Sequence, residues 1–301
     1  MDLEWNYEIS RVADFIRKHN FTRVALQFPD EVLKDSMMVV KALRRELKSG
    51  VKLYVMADTT YGSCCVDEVG AAHVNAQCVI HYGHTCLSPT SSLPALFIFG
   101  KASVSATNCA RNLLHYGVES QKPVLVLFGL EYAHAIPEIK EIFACNIAKI
   151  RESTSMSEPL YADVSGSVMS PAEASTPANQ LGLVDSHIVI ESLAEGTNKR
   201  YKIGGLIWRL PEGHKVEDYL LFWIGLDNPA FVNVVLTFNS CEIGITKYIG
   251  DMKKNSFCVK RGNKRTKSVN DSKWKLYMEL VVILQSANEI QKKVMNKNQF
   301  K

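Results

Sequence analysis

The sequence has no long apolar run. Nothing in its 301 residues approaches the roughly 18–20 consecutive apolar positions that cross a bilayer. The opening decapeptide, MDLEWNYEIS, is acidic and lacks the apolar core of a secretory leader. From these two absences a soluble, cytoplasmic chain with no membrane partner is expected. Tandem repeats of the solenoid type are missing. So are cysteine pairs at the C-x2-C or C-x4-C spacing of a structural zinc site. Net charge is small, +4, and unevenly spread. Residues 251–301 hold 13 Lys/Arg against 4 Asp/Glu, and the remainder hold 22 against 27. The mildly acidic body argues against direct nucleic-acid binding by the whole protein.

What is present fits a globular chain: 47% hydrophobic and 22% charged residues. The length suits two small domains. Eight cysteines in an intracellular chain do not make a disulfide framework. Most are expected as small buried apolar groups, among them Cys78, Cys109 and Cys145. Met37 and Met38 are expected in the core, and His73 as a solvated or packing residue on a helix.

Short runs of Val, Ile, Leu and Phe alternate with amphipathic segments, which predicts βα units around a parallel sheet. Helix, strand, helix and strand follow in order from Tyr7 to Gly62. A short helix comes next, then strands in CVIHYG and PALFIFG. After a helix in SVSATNCARNLLHYG, the stretch from Lys122 to Ile150 reads strand, helix, strand. YLLFWIG and FVNVVLTFNS read as further strands. The expected class is α/β, with repeated small parallel-sheet domains: residues 1–115, then 116–250. The second carries a mobile Ser/Thr/Pro-rich loop at 151–182, whose clearest part is Arg151–Ala178. Residues 251–301 form a basic atypical tail, disordered at first, with one amphipathic helix after Trp274.

The segments DTTYGSCCVDE and HYGHTCLSP hold the chemistry. In open parallel sheets, ligands bind beyond the carboxyl ends of the strands. Cys64, Cys65 and Cys86 each lie a few residues past a strand, so their loops open on one edge. Gly62 and Gly83 each follow a tyrosine, Tyr61 and Tyr82, where glycine lets the backbone turn sharply. From residue types alone three chemistries stay open. One is zinc binding. A second is a catalytic thiol with His81 or His84 as base. The third is an iron–sulfur cluster, whose thiolates must converge in space rather than in sequence.

ADTTYGSCCVDEVGAAHVNAQCVIHYGHTCLSP closely resembles the signature of the diphthamide biosynthesis proteins 1 and 2, the diphthamide synthase subunit family. LLFWIG…VLTFNSCEI is similar to the protein 2 branch. The resemblance covers residues 1–245. It implies three α/β domains, each giving one cysteine to a [4Fe–4S] cluster with one iron open to S-adenosylmethionine, so the cluster is expected to be incomplete in this chain. It implies transfer of a 3-amino-3-carboxypropyl group to a histidine of translation elongation factor 2, the first step of diphthamide synthesis. It implies a heterodimer with diphthamide biosynthesis protein 1, which this chain supports as an accessory subunit, and diphthamide biosynthesis protein 3 as electron donor. Carried over residue by residue, Cys64 is the first metal ligand, Cys65 its alternate and Cys86 a further one. Tyr61, Gly62, His81, Gly83 and His84 shape the cofactor pocket. Cys241 is structural, and Cys258 has no match. The family's third domain has no counterpart after CEI, so a truncated chain with a divergent tail is expected. The alternative function is a non-catalytic form that only binds the paralogue.

Overall fold

The computed structural model describes residues 2–47, 50–56, 64–150, 157–171, 188–192, 199–246 and 257–259. Met1–Arg261 forms one compact unit. It begins with helices α1 (Leu3–Tyr7) and α2 (Ile9–Lys18), strand β1 (Arg23–Gln27), and helices α3 (Asp30–Leu33) and α4 (Ser36–Leu47). Strand β2 (Lys52–Met56), helix α5 (Glu68–His73), strands β3 (Cys78–Tyr82) and β4 (Ala95–Ile98), and helix α6 (Ala106–Ser120) follow. Next come β5 (Val124–Phe128), a 3-10 helix at Leu130–Ala135, α7 (Ile136–Ile150), and the short strands β6 (Leu160–Tyr161), β7 (Asp163–Val164) and β8 (Val168–Met169). The remainder is β9 (Ile188–Ser192), β10 (Lys199–Ile203), β11 (Leu206–Arg209), β12 (Leu220–Ile224), α8 (Pro229–Thr237), β13 (Glu242–Thr246) and β14 (Phe257–Val259).

The first sheet has the order β2-β1-β3-β4-β8. Its first four strands are parallel, and β8 adds antiparallel at the β4 edge. The second sheet runs β14-β13-β12-β5-β6, parallel except for β14. The expected α/β class with parallel sheets is therefore the observed one. Helices cover the sheets, so β3, β4, β5 and β12 are buried at every position. This is why they read as unbroken apolar runs instead of alternating ones. On α2 the buried residues Ile9, Val12, Ala13 and Ile16 recur at helical spacing, and they pack with Val24, Leu26 and Ile80 of the sheet.

Several local expectations are corrected. FVNVVLTFNS forms helix α8 instead of a strand. Asn228 caps it, its side-chain oxygen accepting from Phe231 N–H at 3.1 Å, and Pro229 sits in the first turn. Those start signals outweigh the β-branched residues that follow. EIFACNIAKI lies in α7, with Ile136, Ile139 and Phe143 buried at helical spacing. Residues 157–171, within the expected loop, contribute β6, β7 and β8, one to each sheet. A four-stranded antiparallel sheet, β7-β11-β10-β9, has no counterpart in the sequence reading. Its hairpin turns at Gly204–Gly205, where both residues have positive φ, 53° and 83°. Two such residues match the right-handed twist of the flanking strands. In the expected disordered tail, Phe257–Val259 is a strand paired with β13. The expected helix after Trp274 lies outside the described residues. Met37 and Met38 are exposed, at 61% and 44%, because α4 turns Val39, Val40 and Leu43 inward. Cys145 is exposed on α7, while Cys78, Cys109 and Cys241 are buried and His73 is exposed, as expected.

Candidate metal centre

Three thiols converge at the carboxyl edge of the first sheet. Cys65 Sγ lies 3.6 Å from Cys64 Sγ and 3.6 Å from Cys86 Sγ, and all three sulfurs fall within 4.8 Å of one another. Each is partly exposed. All three come from the two loops that follow β2 and β3. The structure therefore gathers in one place the residues the family resemblance treats as a first ligand, its alternate and a further one.

Hydrogen bonds stitch the loops to each other and to the sheet. The Cys64 carbonyl accepts from Cys86 N–H at 3.3 Å and from the Thr85 hydroxyl at 3.0 Å. Gln27, at the end of β1, is fully buried. Its Nε2 donates to the Cys65 carbonyl at 2.8 Å, and its Oε1 accepts from Asp67 N–H at 2.9 Å. Asp67 caps α5 by accepting from Gly70 N–H at 2.8 Å. The next residue, Glu68, accepts five hydrogen bonds of 2.7–2.9 Å from the backbone and hydroxyls of Ser91 and Ser92 and from Leu93 N–H. Leu87, in the left-handed region at φ 53°, is buried beside Cys86. A Cβ on Gly205 would come within 2.7 Å of Leu87 Cδ1, so the β10–β11 hairpin is seated directly on this loop.

The thiols share their protons unequally. A hydrogen bond from Cys64 is the main cause that brings Cys86 down to about 4; Ser88, 3.0 Å away, adds to it, against the effect of burial. Cys64 is pushed up, first by that same bond and then by burial. Cys65 is pushed up by burial and by the charge on Cys86. The mutual hydrogen bonding thus draws the Cys86 pKa down and pushes those of Cys64 and Cys65 up, and all three are half-exposed, where a metal can reach them. Metal binding requires the thiols to lose their protons. By contrast, burial alone pushes Cys78 and Cys109 up to about 12, as suits inert core thiols.

Glu68 gives a pH signature. Burial would raise its pKa, but the hydrogen bonds from Ser91, Ser92 and Leu93 outweigh that and hold it at about 2, below the ordinary 4.5. A depressed folded-state value stabilises the loop in full above the ordinary value and loses that effect as pH falls from about 4.5 towards 2. Protection factors at Ser91–Leu93 are expected to fall selectively over that window. Protection at these amides that tracks the rest of the sheet would contradict it.

The remaining sequence candidates are placed as follows. His81 lies within β3, fully buried, with its ring 5.5 Å from that of Phe97. His84 is exposed on the loop after β3 and faces Glu131, whose carboxyl burial pushes up while His84 draws it back. Tyr61 and Gly62 lie outside the described residues. Gly83, at φ 85°, borders a cavity of about 310 Å³ at the ends of β3 and β4. Tyr7, Asp35, Tyr82 and Lys101 line it too. Inside it, the Tyr7 hydroxyl donates to Asp35 at 2.6 Å. The buried Tyr82 hydroxyl has no hydrogen-bond partner among the described residues. A Cβ at Gly83 would meet Pro29 Cγ at 3.2 Å. Gly83→Ala is therefore expected to cost at least the ~1–2 kcal/mol of a left-handed non-glycine residue, read by urea unfolding. An unchanged midpoint would contradict it.

Sequence reasoning missed Gln27, Glu68 and Ser88. Gln27 did leave a signal: a polar residue inside VALQF must find hydrogen bonds if that strand is buried.

Parallel sheets with three convergent thiols on two strand-end loops define a candidate thiolate metal-binding α/β protein. The family model described as "Putative diphthamide synthesis protein" matches residues 28–265, and the chain belongs to that family. The match runs 20 residues past the expected limit of 245 and takes in β14. The chain is 34% identical over 240 residues to the 2-(3-amino-3-carboxypropyl)histidine synthase subunit 2 of Danio rerio, covering 80% of this chain and 44% of that protein. Against the subunit 2 of Schizosaccharomyces pombe it is 33% identical over 241 residues, 79% of this chain and 41% of that protein. With the Homo sapiens subunit 2 it shares 42% identity over 136 residues, 45% of this chain and 27% of that protein. The chain thus spans less than half the length of these relatives. A crystal structure of Dph2 from Pyrococcus horikoshii with a 4Fe-4S cluster aligns with TM-score 0.48 and 15% identity, over 79% of this chain and 56% of that one. No helix among the described residues is long and apolar enough to cross a membrane.

Proposed function

We propose that the chain serves as a cytoplasmic subunit of the enzyme that transfers a 3-amino-3-carboxypropyl group from S-adenosylmethionine to a histidine of translation elongation factor 2. The observation that carries this reading is the convergence of Cys64, Cys65 and Cys86 at a sheet edge in a member of this family. The three thiols fit a [4Fe–4S] cluster in kind and number, leaving one iron without a protein ligand, although all three come from one sheet where the resemblance implies one cysteine from each of three domains. When bound, such a cluster supplies the electron that cleaves S-adenosylmethionine. The chain's own residues hold the three sulfurs, with Ser88 beside the Cys86 thiolate and Gln27 and Glu68 bracing the loops. The cavity by Gly83 lies at the same sheet edge. Its Asp35 carboxylate, which accepts from the Tyr7 hydroxyl, offers an acceptor to the ammonium of an amino-acid group. In this reading diphthamide biosynthesis protein 1 is the heterodimer partner, and diphthamide biosynthesis protein 3 donates electrons.

A second reading rests on the sulfur spacing. Tetrahedral ligands at a zinc–sulfur bond of about 2.3 Å stand about 3.8 Å apart, close to the observed 3.6 Å. A cluster seats each thiolate on a different iron and so requires the loops to spread. A single tetrahedral ion needs no such movement.

Anaerobic assay of the reconstituted heterodimer with carboxyl-labelled S-adenosylmethionine tests the proposal. Label on the elongation factor histidine is expected only with this chain present. Equal labelling by the paralogue alone would refute a role in the reaction.

A further inference from the structure

We propose that Glu68 is the positioning residue that keeps the Cys86 thiol within the triad; this rests on the metal-holding role assigned above. Among the described residues, hydrogen bonds join the two thiol loops at two points. Near the sulfurs, the Cys64 carbonyl holds Cys86 N–H and Thr85. At the far end, Glu68 grips Ser91, Ser92 and Leu93. Cys64 and Cys86 belong to the near fastening itself; Glu68 comes three residues after Cys65, and Ser91 five residues after Cys86, so the far fastening closes both loops beyond the thiols. The near fastening alone is a pivot, and the far one fixes the angle of the Cys86 loop about it.

The charge of Glu68 is specific to the task. Three of its five partners are backbone N–H groups, which can only donate. Oε1 serves Ser92 and Leu93, and Oε2 serves Ser91. Glutamine has the same shape, but its amide would turn donors toward one of these N–H groups. The carboxylate also sits at the first turn of α5, at the N-terminal end of the helix it anchors.

The test uses cobalt(II) on the full chain under anaerobic conditions, at a temperature where circular dichroism shows each variant folded. Cobalt bound by thiolates gives a near-ultraviolet charge-transfer band whose intensity follows the number of sulfur ligands. The wild type is expected to show three. Glu68→Gln is expected to fall to about two-thirds of that intensity and bind cobalt about 10–100-fold more weakly, the range typical of groups that orient ligands. In the metal-free chain, alkylation of Cys86 is expected to accelerate. A Glu68→Gln variant with wild-type band and affinity would overturn the proposal, since a purely structural role lowers unfolding temperature without altering the band. If Glu68→Gln does not fold, the double variant Ser91→Ala, Ser92→Ala keeps the carboxylate and three backbone bonds. An intermediate loss of band supports the clamp, and no loss overturns it. A wild type without any thiolate–cobalt band defeats the metal reading itself. Cys86 alkylation then decides the clamp alone: faster in the variant supports it, unchanged overturns it.

Discussion

Replacing Cys65 with alanine is expected to leave the chain nearly free of iron after anaerobic reconstitution. Cys65 is the middle thiol, 3.6 Å from each of the others. Without it two sulfurs remain, and neither a cluster nor a tetrahedral ion has enough protein ligands. Groups that only orient metal ligands cost roughly 10–100-fold in affinity, and removal of a ligand should exceed that range. The matched control is Cys78→Ala. Cys78 is fully buried in β3, so its loss should lower stability while iron content stays near wild type. Iron retained in full by Cys65→Ala would remove that residue from the site, and iron lost equally in both variants would point to general unfolding.

The second large effect is expected from Gln27→Leu. The change keeps bulk but removes both side-chain hydrogen bonds, leaving the Cys65 carbonyl and the Asp67 N–H without them. Each polar group left unsatisfied on burial costs ~1–3 kcal/mol. The same two bonds set the path of the chain between Cys65 and α5. The variant should therefore lose urea stability and metal affinity together, whereas a core substitution far from the loops should lose stability alone. Lowered stability with unaltered metal affinity would show that Gln27 holds the fold but not the site.

The strands were legible where both faces are buried, because VALQF, CVIHY and YLLFWI need no partner information to be read as core. Helix α8 reads as a strand because Val232, Val234, Val235 and Thr237 are β-branched, while its Asn228–Pro229 start signal lies just before that run. The β10–β11 hairpin was legible in principle, from Gly204–Gly205 between short apolar stretches, but lay beside a segment of loop-like composition. The thiols were legible as candidates and as neighbours on one sheet edge. Their convergence was not, since Cys65 and Cys86 are 21 residues apart and only strand order brings them together. Least legible were the braces. Nothing local to Glu68 announces that its partners lie at Ser91–Leu93, because that pairing depends on where two loops cross.

Electron paramagnetic resonance of the anaerobically reconstituted and reduced chain, with iron and acid-labile sulfide counted on the same sample, addresses the metal centre most directly. A reduced [4Fe–4S] signal with about four irons and four sulfides per chain, absent in Cys65→Ala, is the predicted result. About one metal ion per chain, with no labile sulfide and no such signal, would contradict a cluster and leave the triad as a single-ion site.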